Sequence, residues 1–347
     1  MRRLQSLLSC GLVLAAMPLA ISAVHADPAH AYQPGQVLKE EAQSRDLCES
    51  APNRIFVSTT LGSECVAYFV TKGYEDRPEG VFFINGDSPG FADAADYEAH
   101  MRKLRRHMDT TLQKMADQMH VRFVDVVRLG LGGSSGNHRH RMEKRETMIL
   151  GATIALLKQR LGIDTVALAG QSRGSIISAS LLSLGLKGIK CAALGAGALE
   201  LVNFEYAARS KSRHPMTRAE IAKVVYDPYA HINAVPRDPG RRVFVLDDPQ
   251  DQISNFHDEL EYTEALKAAG HRALAIPTRA RDPQHHGAAA YALRTAGACL
   301  NDASDDLIVQ AVAAMEAERK GATGTDTVAE ITQLLAAPLV DDDAGSR

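Results

Sequence analysis

With 347 residues, 45% of them hydrophobic and 23% charged, the chain can bury one large α/β core or two small ones. Its formal net charge of -3 gives no reason to expect a nucleic-acid or anionic-membrane partner. Tryptophan is absent and only 5% of residues are aromatic, which argues against a stacking surface for sugars or bases.

In chain order, residues 1–26 read as a cleavable targeting segment. Arg2 and Arg3 give a positive start, residues 7–20 an apolar centre short for a membrane span, and Val24-His25-Ala26 a small-residue exit. This predicts cleavage after Ala26 and a secreted or periplasmic protein without a membrane span. Leu7-Leu8-Ser9-Cys10 resembles a lipoprotein cleavage box, but too little apolar sequence precedes Cys10. Residues 27–53 are polar and read as a loosely ordered leader. Once Cys10 is removed, Cys48, Cys65, Cys191 and Cys299 remain, and an even number in an exported chain predicts disulfides. Four cysteines allow three pairings; the preferred one joins Cys48 to Cys65 and leaves Cys191 for Cys299. The alternative is that Cys191 is a buried small hydrophobe. No cysteine or histidine spacing fits structural zinc.

Residues 55–60 and 64–71 read as two strands around a Leu61-Gly62-Ser63 turn, and 80–84 as a solidly apolar strand covered on both faces. The loop 85–90 follows, then a long helical stretch over 92–120, whose Met101, Leu104, Met108, Leu112 and Met115 recur at three or four residues. Residues 121–128 form another strand. The glycines from Gly130 to Gly136 lack the Gly-x-Gly-x-x-Gly spacing and the helix that a dinucleotide site needs, so no cofactor is expected. His138-Arg139-His140-Arg141 through Arg145 reads as the solvated start of a helix over 143–161. A strand at 165–169 enters Gly170-Gln171-Ser172-Arg173-Gly174, and an apolar helix that Gly185 stops follows. After a short strand at 191–194, residues 202–241 carry four prolines and read as a small helical insertion. Residues 242–246 are a buried strand, 255–269 a helix, 271–276 the last strand and 288–300 another helix. Residues 54–319 thus make one domain, and 320–347 a flexible tail. Strands alternating with helices predict a mostly parallel sheet with helices on both faces, whose chemistry gathers beyond the carboxyl ends of the strands.

A strand that turns at once into a helix exposes the residue between them, and the helix N-terminus favours developing negative charge there. That residue is Ser172. A serine hydroxyl needs a base, and histidine needs a carboxylate to hold its ring. Downstream, in the order Ser, Asp, His, the chain offers Asp251 or Asp248 after one strand and His286 or His285 after the next; Asp251 and His286 are preferred. The oxyanion of an acyl-transfer intermediate needs two backbone donors: Arg173, directly after the nucleophile, and Asp87 or its neighbour Ser88 in the loop after 80–84. A metal reading through His138, His140, His285 and His286 lacks any recognised ligand spacing, so no metal is expected.

These segments resemble the α/β-hydrolase superfamily over roughly residues 50–315. Gly170 to Gly174 match its nucleophile elbow, and Asn85-Gly86-Asp87 its His-Gly-x oxyanion loop with Asn in place of His. Asp125, Gly130, Gly132 and Ser134 are similar to its Asp-x-x-Gly-x-Gly-x-Ser segment with longer spacing, and Val243 to Ile253 to its seventh strand and acid. Asp227-Pro228-Tyr229 resembles secreted esterases and prolyl-oligopeptidase-like catalytic domains. The resemblance implies the α/β-hydrolase fold and a serine hydrolase cleaving small esters or short acyl substrates, less readily amides. Two alternatives stand beside it: an acyltransferase on the same triad, and a non-catalytic binding protein of this fold. Nothing in the chain names the substrate or the oligomeric state.

Overall fold

The computed structural model describes residues 39–40, 44–87, 95–96, 99, 102–103 and 106–320. The targeting segment, most of the leader, Ser88 and the tail beyond 320 lie outside the described residues, as does most of 88–105.

Eight strands form one sheet: β1 (Arg54–Thr59), β2 (Gly62–Val70), β3 (Glu79–Ile84), β4 (Arg122–Val126), β5 (Thr165–Gln171), β6 (Ile189–Gly195), β7 (Arg242–Asp247) and β8 (Arg272–Pro277). Across the sheet the order is β8-β7-β6-β5-β3-β4-β2-β1. The β1–β2 hairpin and the β2–β4 pair are antiparallel, and the rest of the sheet is parallel. The continuous apolar runs read from sequence are the parallel strands, because a strand with helices on both faces has no side turned to water.

Alternation along these strands supplies two cores. Phe82, Ile84, Val166 and Leu168 point to one face, against Ile149, Leu150 and Leu157 of α3 (Lys144–Leu161) and Ile176 and Ile177 of α4 (Arg173–Ser183). Val81, Phe83, Ala167 and Ala169 point to the other, against Met115 of α2 (Gln113–Met119), Tyr291 and Ala292 of α8 (Ala289–Leu300) and Ile308 of α9 (Asp305–Lys320). The insertion holds α5 (Leu201–Arg209), α6 (Arg218–Val224) and a 3-10 turn, Tyr229–Ala234. Helix α7 (Phe256–Ala268) joins β7 to β8.

Both expected disulfides are present, Cys48–Cys65 and Cys191–Cys299. The first explains a departure from the sequence reading. Residues 45–50, which by composition belong to the polar leader, form helix α1 (Arg45–Ser50), capped by the Ser44 hydroxyl and tied through Cys48 to β2. A six-residue helix has too little cooperativity to stand alone, and the covalent anchor supplies what its sequence lacks.

Candidate active site

The site lies beyond the carboxyl ends of β3, β5, β7 and β8. Strand β5 enters the turn at Gln171, and α4 starts at Arg173, so Ser172 takes the whole reversal. Its φ of 55° and ψ of -126° are strained for a residue with a side chain. The flanking glycines permit this turn. A Cβ on Gly174 would sit 2.0 Å from the Ile84 carbonyl oxygen, and one on Gly170 2.5 Å from the Ser175 Cα. Both obstacles are backbone, which cannot move aside.

Three of the predicted side chains meet here. The Ser172 Oγ lies 2.8 Å from His286 Nε2, and His286 Nδ1 lies 2.7 Å from the Asp251 Oδ2. The Asp251 side chain is wholly buried and that of His286 is 15% exposed. Burial works against the charge on Asp251, but hydrogen bonds from His286, Ser254 and the Ile253 amide outweigh it and hold the carboxyl below its usual range. The runners-up instead form a pair of their own: His285 Nδ1 contacts Asp248 Oδ2 at 3.0 Å, and Asp248 also accepts from the amides of Gln250 and Ala280. His285 is in the left-handed region, φ 57°, which turns adjacent imidazoles in different directions.

Two residues outside the sequence reading hold the histidine loop. The side chain of Gln171 donates to the His286 carbonyl at 2.7 Å and accepts from the Ala288 amide at 2.8 Å. The Asp282 carboxylate accepts from the amides of Gln284, His286 and Gly287. The position between Gly170 and Ser172 is unconstrained by the motif, so Gln171 carried no signal. Asp282 stands in an Arg-Asp-Pro turn, and an aspartate before a tight turn is the signal that could have found it.

At the elbow's other side, the backbone N–H groups of Asp87 and Arg173 have no hydrogen-bond partner among the described residues. Their side chains are ion-paired, Asp87 Oδ2 to Arg173 Nε at 3.0 Å. Asp87 also meets Arg128 at 2.6 Å and Arg141 at 2.7 Å. Burial opposes its charge, but Arg128, Arg173 and Arg141 prevail and lower its pKa. Arg128 is buried and forks onto Glu146 at 3.0 and 2.9 Å, while Arg173 reaches Glu205 of α5 at 2.6 Å. This corrects the reading of 138–145 as a solvated helix start. His138 is buried beside Asp87, Arg141 pairs with Asp87, and Arg145 pairs with Glu64 at 2.6 Å. A buried carboxylate, Glu64, and a partly buried one, Asp87, need counter-charge and draw these side chains inward.

Among the described residues no cluster of histidine, cysteine, aspartate and glutamate could hold a metal ion, and no helix is long and apolar enough to cross a membrane. The arrangement can activate a hydroxyl, take up its proton and stabilise the imidazolium that results.

No protein-family model matches the sequence, and no curated protein matches it. Solved structures do resemble it. The esterase Pf2001 of Pyrococcus furiosus aligns with a TM-score of 0.51 at 12% identity, covering 76% of this chain and 96% of its own. Est1E of Butyrivibrio proteoclasticus gives 0.48 at 9% identity over 72% and 98%. An acylaminoacyl peptidase of Pyrococcus horikoshii gives 0.46 at 13% over 72% and 40%. With the strand order above, the likeness to Pf2001 identifies the fold as that of the α/β-hydrolases.

Proposed function

We propose that this chain of α/β-hydrolase fold is an exported serine hydrolase that cleaves carboxylic esters of small alcohols or short acyl groups. The observation that carries the reading is the unbroken hydrogen-bonded run from Ser172 through His286 to Asp251, at a strained turn heading a helix. In the reaction, Ser172 Oγ attacks the ester carbonyl carbon as His286 Nε2 takes its proton. The imidazolium is stabilised by Asp251, and the oxyanion by the amides of Asp87 and Arg173. Collapse expels the alcohol, which takes the proton back from His286 Nε2. Water, deprotonated by the same nitrogen, then releases the acid from the acyl-enzyme and restores Ser172.

The predicted leader cut after Ala26 supports export, and both disulfides fit an oxidising compartment. The insertion, with Phe204 and Tyr206, is the proposed wall of the substrate pocket. A fluorophosphonate probe should label Ser172, and Ser172→Ala should abolish both labelling and hydrolysis of a p-nitrophenyl ester. Absence of labelling on the folded protein refutes the reading. A series of such esters of increasing chain length, beside an aminoacyl-naphthylamide, separates esterase from peptidase activity.

A further inference from the structure

Behind His286 the chain places three carboxyl groups where water does not reach. Asp251 receives His286. Asp247, the last residue of β7, is 1% exposed, as is Glu259 of α7. Among the described residues, no lysine or arginine forms an ion pair with any of the three, and the one basic side chain paired with them is the His286 imidazole on Asp251. The groups facing Asp247 are Asp248 and Asp251 from the loop after β7, Ser254 from the same loop, and Glu259 from α7. The Thr278 amide at the end of β8 bonds only the Asp247 backbone carbonyl. Three adjacent buried carboxylates against one imidazole cannot all be ionised.

The hydrogen bonds indicate which stays charged. Asp251 collects donors from His286 Nδ1, Ser254 Oγ at 2.6 Å and the amides of Ile253 and Ser254. Asp247 has the amide of Asp248 at 2.8 Å on one oxygen, and on the other only the Ser254 hydroxyl at 3.4 Å, which is already committed to Asp251. Asp247 Oδ2 and Asp251 Oδ2 share this one hydroxyl, so the two carboxyl groups lie side by side out of water, and a proton on Asp247 removes the repulsion between them.

We infer that Asp247 is a positioning residue: it stays a neutral carboxylic acid whose O–H donates to Asp251 and holds that carboxylate in line with His286 Nδ1. The inference rests on the triad reading above. Burial, with Asp251 next in effect, pushes the Asp247 pKa up to about 9. Above that pH Asp247 loses its proton, repels Asp251 and releases it from the imidazole. Burial, with Asp247 and Asp251 next in effect, pushes the Glu259 carboxyl well above its usual range.

Asp247→Asn separates the alternatives, because an amide keeps a donor toward Asp251 and cannot ionise. Two measurements are made on the full mature chain over pH 5–10.5: the rate of fluorophosphonate labelling at Ser172, and the thermal unfolding midpoint. The wild type should lose labelling about tenfold per pH unit beyond Asp247 ionisation, while Asp247→Asn stays within about threefold of its pH 8 rate. Asp247→Ala, lacking the donor, should label more slowly than Asp247→Asn at pH 7. In unfolding, the wild type should lose ground to Asp247→Asn as pH rises from 5 to 8, because only its unfolded chain then releases the proton. Alkaline limbs that coincide in wild type and Asp247→Asn overturn the inference, as does a midpoint difference independent of pH. Labelling of the wild type that rises through pH 10 overturns it too. A wild type that is never labelled overturns the triad reading instead, and the unfolding comparison still reports the proton on Asp247.

Discussion

Replacing Arg128 by methionine is the sharpest test of the charge web at the elbow. The guanidinium is 1% exposed and Glu146 2%, and their two contacts at 3.0 and 2.9 Å leave neither group a route to water. Asp87 is 29% exposed and keeps Arg141 and Arg173, so the loss falls on Glu146. A buried carboxylate stripped of its partner costs about 3–5 kcal/mol. The Met142 amide, which donates to Glu146 at 2.8 Å, offsets only a fraction of that. Removing both charges in Arg128→Met with Glu146→Leu should recover most of the stability, less about 1 kcal/mol for the amide left unpaired. Urea unfolding of wild type, the two single variants and the double variant measures the coupling. If Arg128→Met unfolds within about 1 kcal/mol of wild type, or the double variant is no more stable than the single, the assigned role of this pair is wrong.

Other outcomes follow from the same geometry. Asp251→Asn should lower kcat about 10⁴-fold in p-nitrophenyl ester hydrolysis with KM nearly unchanged, because it favours the wrong imidazole tautomer. His285→Gln should cost less than about tenfold in kcat, whereas His286→Gln should remove activity. Gly174→Ala drives a Cβ into the Ile84 carbonyl, and a loss above about 4 kcal/mol should appear as a collapsed yield of folded protein. Opening Cys191–Cys299, separated by 108 residues, should cost about 5 kcal/mol, against about 3 kcal/mol for Cys48–Cys65 with 17, when paired serine variants are compared in denaturant. Asp251 has a lowered pKa, so its contribution to stability is complete above about pH 4 and lost as pH falls through the folded value. An Asp251→Asn variant should therefore converge on the wild-type midpoint in acid.

What could be read without coordinates was whatever local physics fixes. The parallel strands announced themselves because burial on both faces leaves an uninterrupted apolar run, as at Val81 to Ile84. The elbow was legible because Ser172 needs glycine on either side at a fixed spacing. The choice between His285 and His286 was not, since it turns on a single left-handed residue. The web at Asp87 draws arginines from positions 128, 141 and 173, and no local pattern relates them. The acid cluster was hidden differently. Asp247-Asp248-Pro249 reads as an ordinary turn, and only the packing of α7 reveals Glu259 beneath it.

Helix α8, which follows the histidine loop, is riveted at its far end to β6 by Cys299 and stitched at its near end to the elbow by Gln171. A rod fastened at both ends cannot slide along its own length. In the proposed hydrolase this side of the site is thus held at both ends, and guests of different girth have to be accommodated elsewhere. The insertion helices α5 and α6 carry no cysteine, and α5 meets the elbow through the Glu205–Arg173 contact. Under the proposed function, breadth of substrate choice is accordingly a property to engineer in the insertion, leaving the histidine loop untouched.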